Sequence, residues 1–235
     1  MSTNKGLNEF FSYSFSLDCL IFGYSEGKIN VLLIKRDMDP YKGQWAIPGD
    51  LIKPEEDLPN AAKRILFDLT SLKNIELHQS QTFGKPDRHP QGRVITCAYF
   101  ALVKVDEIDA KASSWANEIK WVPVNEIEEL AFDHNEILNS TFEILKQKLN
   151  TLPICFDLLP PKFTLNEMQQ LYEFAFDVEM DKANFRKKIK NLPLIDLKQK
   201  QKNVKHRPAR LFKFDETKYQ DMVENDDYTF KMLKS

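Results

Sequence analysis

The stretch from Leu152 to Phe163, LPICFDLLPPKF, carries three prolines within twelve residues. Proline has no backbone N–H and a fixed φ, so neither a helix interior nor a central strand runs through such a segment. It reads as a connector, and it divides the chain into two parts of unlike character. Before it, apolar strand-like runs surround one well-marked helix. After it come short helices and a polar, basic arm. A chain of 235 residues fits one large or two small domains, and the break assigns residues 1–150 to a first domain and 151–235 to a second. Hydrophobic residues make up 42% and charged residues 29%, which places the chain among globular proteins. Cys19, Cys97 and Cys155 lie far apart in apolar runs. They share no metal-ligand spacing, and their odd number argues against a disulfide framework. Reduced, buried thiols in a cytoplasmic protein are the expectation. No apolar run approaches the roughly 18 residues of a membrane span, and the N-terminus MSTNKGLNEFF lacks a signal pattern.

In the first part, Ser14–Gly23 and Lys28–Lys35 form a predicted hairpin around Ser25, Glu26 and Gly27. Trp45 to Gly49 is a short segment closed by a turn. Apolar residues at Leu58, Ala61, Ala62, Ile65, Leu66 and Leu69 follow the spacing of an amphipathic helix. Arg93–Val105 is a long strand expected to be buried on both faces. Ile119–Val124 is a further strand and Asn135–Lys148 a helix. Strands and helices mix without a strict alternation, which indicates an α+β fold with a mixed sheet. In the second part, Thr164 is a helix N-cap with Glu167 as its capping-box partner. Leu165, Met168, Leu171, Tyr172 and Ala175 form the apolar stripe of that helix. Asp181 caps a second helix, Lys182–Leu192, which Pro193 stops. A basic stretch, Lys198–Arg210, leads into a returning strand, Leu211–Phe214. Helix, turn, helix, basic loop, strand is the outline of a winged helix-turn-helix.

The segment Gly49–Leu72, GDLIKPEEDLPNAAKRILFDLTSL, resembles the Nudix box, G-x5-E-x7-R-E-U-x-E-E-x-G-U with U a bulky apolar residue. Gly49 occupies the first glycine or the position before it. Matching Glu56 to the first glutamate and Arg64 to the arginine puts Asp50 at the glycine and Ser71 at the last one. In that frame Ile65, Asp68 and Leu69 stand where the resemblance implies metal-binding glutamates. Nudix hydrolysis of a pyrophosphate uses Mg²⁺ or Mn²⁺, and such hard cations need several carboxylate oxygens. Isoleucine and leucine supply none. The resemblance to Nudix proteins spans roughly residues 14–148 and implies an α/β/α sandwich. The expectation is a domain that is not an enzyme and holds no metal or cofactor. The rival expectation is an active hydrolase of a nucleoside diphosphate derivative such as ADP-ribose, built on Glu55, Glu56 and Asp68.

From Lys182 to Lys213 there are twelve basic residues and one acid, Asp196, in a chain of net charge −2. Lysine and arginine concentrated on a helix and the following loop form the footprint of a DNA-binding surface. The entry Asp181–Lys188, the later Arg207-Pro208-Ala209-Arg210-Leu211-Phe212, and the junction residues Leu158 to Pro160 and Phe163 to Leu165 occur in one order. In that order they resemble the NrtR-type Nudix-related transcriptional regulators, which pair a Nudix-like domain with a C-terminal winged helix. That resemblance implies a homodimeric repressor on palindromic double-stranded operator DNA. It also implies a recognition helix at Lys182–Leu192. Lys182, Asn184, Arg186, Lys187 and Lys190 are its candidate contacts, with Lys205, Arg207 and Arg210 on the wing. Asparagine and arginine read base edges, while lysines mainly hold phosphates. Phe185, Ile189 and Leu192 belong to the core. A protein-binding module with an acidic partner is the bland alternative.

The loop Asp87-Arg88-His89-Pro90-Gln91-Gly92-Arg93 resembles the family's Asp-Arg-Asp-Pro-x-Gly-Arg, with His89 at the second aspartate. Phe132-Asp133-His134 is a second polar cluster. Asp18, Lys35, Arg36, Glu56, Arg88, His89, Arg93, Asp133 and His134 are therefore the candidate effector-binding residues. One branch of the family senses ADP-ribose and another L-arabinose. Loss of the metal ligands that help to hold a pyrophosphate tips the expectation towards sugar sensing.

Overall fold

The computed structural model describes residues 13–202, 204 and 207–233. They divide into two units, residues 13–23 with 30–144 and residues 24–29 with 145–233.

The first unit is built on a seven-stranded mixed sheet. Its strands are β1 (Ser14–Ser25), β2 (Lys28–Arg36), β3 (Trp45–Ala46), β4 (Gly49–Leu51), β5 (His78–Phe83), β6 (Val94–Val103) and β7 (Ala116–Pro123). β1 lies at the centre, parallel to β6 from Ser14↔Val94 to Gly23↔Val103. The near-continuous apolar runs of these two strands fit a sheet covered on both faces. β4 pairs with β1 only at Ser16–Asp18, and β7 lies antiparallel on β2. β5 pairs with β6 and reads HQSQTF. It is a polar strand whose composition carries no strand signal.

Helix α1 (Leu58–Thr70) starts where Asp57 accepts the Asn60 N–H and ends at Ser71 in a left-handed conformation. Its stripe, Ala61, Ala62, Ile65, Leu66 and Leu69, packs on Leu17, Cys19 and Ile21 of β1 and Leu32 and Ile34 of β2. Helix α2 (His134–Thr151) takes the other face, where Phe142 meets Phe22 and Thr141 meets Ser80. The three cysteines are buried as free thiols. Burial pushes the thiols up, that of Cys155 to about 12, so they pack as small apolar groups.

The second unit contains α3 (Cys155–Leu158), α4 (Leu165–Phe176), α5 (Lys182–Ile189), the hairpin β8 (Leu194–Lys200) and β9 (Arg210–Phe214), and α6 (Glu216–Glu224). Thr164 and Glu167 form the reciprocal capping box at the start of α4. Asp181 accepts from Ala183 and Asn184 at the start of α5. Phe156, Phe163, Leu171, Tyr172, Phe185 and Ile189 form the core, and Phe163 bridges to Phe212 as a third, minimal strand. Three expectations need correction. The proline-rich stretch 152–163 is not a bare connector, because α3 lies inside it between the prolines and Phe156, Leu158 and Phe163 are buried. The second helix ends at Ile189 rather than Leu192. The stretch from Lys198 is not all loop, because β8 already begins at Leu194 and extends to Lys200. Among the described residues, no helix is long and apolar enough to cross a membrane.

Candidate functional site

The strand β1 places Ser14, Ser16 and Asp18 on one face at intervals of two. Beside them lies a cavity of about 450 Å³, within the range of small-molecule sites. At its floor Asp18 is 4% exposed. One of its oxygens accepts the Thr96 hydroxyl at 2.7 Å. Arg88 Nη2 is 3.7 Å from the same oxygen. Arg88 also grips Asp133 with two parallel hydrogen bonds, 2.9 Å from Nε and 2.7 Å from Nη2. Such a fork is the strong form of an arginine–carboxylate pair.

His134 completes the floor. Its Nδ1 accepts the Ile47 N–H at 3.0 Å, so the ring proton sits on Nε2, 3.4 Å from Asp18 Oδ1. Burial pushes the imidazole below its ordinary range, against the pull of Asp18 and Asp133. It is a neutral donor near pH 7. Gly49 makes this arrangement possible. It pairs with Asp18 across β1 and β4, and a Cβ there would lie 2.1 Å from Asp18 Oδ1 and 2.8 Å from the Leu17 carbonyl.

The walls are aromatic and cationic. The Arg36 guanidinium lies between Trp115 and Phe132, 4.9 and 4.8 Å from the ring centres. It donates from Nε to the Pro40 carbonyl at 2.8 Å. His89 stacks on Phe132 at 5.0 Å and 15°. Burial, then Arg88 and Arg36, push its imidazole down as well. Arg93 donates to the Gly84 carbonyl at 2.6 Å and reaches the rim.

The candidate residues thus fall into two groups. Asp18, Arg36, Arg88, His89, Arg93 and His134 line the cavity, and Asp133 holds Arg88 from behind. Lys35 and Glu56 do not line it. Lys35 pairs with Glu118 of β7 at 2.8 Å, because alternation turns it away from the side on which Arg36 emerges. Glu56 is tied to Arg64 and to the Lys53 N–H, and these bonds hold its carboxyl down at about 2. Sequence reasoning missed Thr96 and Trp115, and it read Gly49 only as a box position rather than as the residue that leaves room for Asp18. A lone threonine in an apolar strand was the available signal for the first; Trp115 carried none.

The box positions have a definite fate. Ile65 and Leu69 are 0% and 1% exposed, sealed in the core under α1. Asp68 reaches Arg64 at 3.4 Å. Among the described residues no three His, Cys, Asp or Glu side chains converge as metal ligands.

In the second unit, Lys182, Asn184, Arg186 and Lys187 project from the exposed side of α5 and Lys190 is exposed just past its end, while Phe185 and Ile189 face inward. Lys188 turns away to the Met232 carbonyl. Arg207 and Arg210 are exposed, Arg210 on β9, and Lys205 lies outside the described residues.

Residues 16–141 match the NUDIX domain, and residues 155–214 match the NrtR DNA-binding winged helix domain. The ADPR responsive transcriptional repressor of Acinetobacter baylyi is 30% identical over 203 residues, covering 85% of this chain and 81% of that one. The chain belongs to the NrtR family. Shewanella oneidensis NrtR, crystallised with a 27mer DNA, aligns at a TM-score of 0.71 with 26% identity, over 94% of this chain and 99% of that one. The NUDIX domain of the same NrtR, crystallised with ADP ribose, aligns at 0.55 with 26% identity, over 62% of this chain and 99% of that one. This NrtR-family protein pairs a NUDIX domain with an NrtR DNA-binding winged helix domain.

Proposed function

We propose that this protein is a metabolite-responsive repressor in which the Nudix-like domain, residues 1–150, binds ADP-ribose without hydrolysing it. The winged-helix domain, residues 151–235, holds the operator. The carrying observation is the cavity over Asp18, where buried charges and stacked aromatic rings stand ready for a polar ligand while the box face of α1 is closed with Ile65 and Leu69. Arginines at the rim and walls suit phosphate, and Trp115, Phe132 and His89 suit a planar base. Relatives crystallised with ADP ribose or described as ADPR responsive support this ligand over a free pentose. Loss of the metal ligands does not by itself favour a sugar, because protein cations can hold a diphosphate without a metal.

Lys182, Asn184, Arg186, Lys187 and Lys190 enter the major groove, with Arg207, Arg210 and Lys205 on the backbone. The protein acts as a homodimer on a two-fold operator. ADP-ribose changes operator affinity to the extent that it binds the DNA-free state better.

The test is a titration of ADP-ribose into a fluorescent protein–operator complex, with L-arabinose and other pentoses in parallel. Release of DNA by ADP-ribose alone is expected. Release by a pentose alone would overturn the ligand assignment. In a magnesium-supplemented assay, ADP-ribose should persist; turnover lost in Asp68→Asn would restore the hydrolase.

A further inference from the structure

The basic segment Lys182–Lys213 contains a single acid, Asp196. A carboxylate beside DNA phosphates repels them, so a lone acid here opposes its neighbours unless its geometry serves them. β8 and β9 pair Asp196 with Phe212 and Lys200 with Arg210. Four steps on β8 therefore match two on β9, and the extra residues form a bulge. Lys198 lies within it at φ 54°, a left-handed conformation unfavourable for a residue with a Cβ.

Asp196 secures that bulge from both sides. Oδ1 accepts the Lys198 N–H at 2.7 Å, an Asx turn that stabilises the strained backbone. Oδ2 accepts from Arg210 Nη1 at 3.2 Å on the facing strand. The Arg210 side chain is 71% exposed. Without the pair it would spread over many rotamers. Bulges commonly re-aim side chains at functional edges. An exposed ion pair adds little to stability, so the consequence falls on binding.

We infer that Asp196 is a positioning residue for operator binding: it shapes the wing so that Lys198 and Arg210 meet the DNA backbone together. This rests on the proposed contact between wing and DNA. Charge alone predicts that removing the acid tightens binding. Positioning predicts the reverse.

The experiment uses the full-length protein and a duplex that it selects from a random-sequence pool, with anisotropy read at several salt concentrations. Asp196→Ala should bind roughly tenfold more weakly, with a salt slope shallower by about 1, the signature of one lost phosphate contact. Asp196→Asn keeps an oxygen for the Lys198 N–H but turns an NH2 donor towards Arg210, so it should lose about threefold, less than the alanine variant. Arg210→Ala reports whether the wing touches DNA at all. If Arg210→Ala weakens binding while Asp196→Ala binds as well as or better than wild type, the positioning role is overturned and the wing contact stands. Equal losses in the Asn and Ala variants would also overturn it. If Arg210→Ala changes nothing, the wing contact itself fails. Should the alanine variant not fold, tighter binding by Asp196→Asn would decide against positioning.

Discussion

Arg88 and Arg186 carry the same group into opposite surroundings. The Arg88 side chain is 4% exposed and clasped by Asp133, with Asp18 close by. Arg186 projects into solvent from α5 among Lys182, Lys187 and Lys190. In the cavity every cation has an opposite charge, a carbonyl or a ring against it. On the helix, charge of one sign accumulates. Buried charge must be neutralised locally before a ligand arrives, and what remains is shape and a few directed bonds. Exposed charge of one sign is stored for a polyanion and acts through a field that salt screens. Ligand binding in the first region should therefore depend weakly on salt, and operator binding in the second strongly.

Breaking the buried set should have the largest effect. Arg88→Met leaves Asp133 and Asp18 without their cation and should destabilise the protein by about 3–5 kcal/mol in denaturant unfolding. A loss below about 1 kcal/mol would mean that water already reaches the pair. Gly49→Ala should cost about 1–3 kcal/mol through overpacking and also weaken ADP-ribose binding, because the new methyl displaces Asp18. Calorimetric titration showing unchanged ligand affinity would separate Asp18 from recognition.

Arg186→Ala sharpens the contrast from the other side. Operator affinity should fall by about 1–3 kcal/mol if Arg186 reads a base, with ADP-ribose affinity and unfolding midpoint unchanged. A matching fall in ligand affinity would show that the two activities are not divided as proposed.

pH gives a subtler test. His134 titrates below its ordinary value of 6.5 in the folded protein. As pH falls through about 6.5 the unfolded chain takes up a proton that the buried ring resists. Stability from this group is fully present above that pH and declines below it. The thermal midpoint should drop between pH 6.5 and 5, less steeply in His134→Gln. Identical slopes would refute a neutral, buried ring. Lys35→Ala should matter least, by less than about 1 kcal/mol, with no effect on ligand affinity, since Lys35 pairs with Glu118 on the sheet surface.

Much of this was legible before any coordinates. The stripe of α1, the capping box at Thr164 and Glu167, and the cap at Asp181 are local signals, and each marks its helix. The failures are instructive. The motif order suggests one cavity for both Lys35 and Arg36, but neighbours on a strand face opposite ways. Glu56 was chosen by its place in a motif, and Arg64 claims it. α6 lies in a tail whose charge concealed its helical register.

The sequence by itself determined that two parts of unlike character meet at a proline-rich stretch, that the box helix keeps only Asp68 of its three acidic positions, and that basic charge collects after Lys182. These follow from residue type and short-range spacing, which the chain carries openly. Only the tertiary structure decided that Asp18, Thr96, Arg88, Asp133 and His134 meet at one floor. β1 and β6 lie parallel, so residues some eighty positions apart become neighbours, and no local pattern encodes that register.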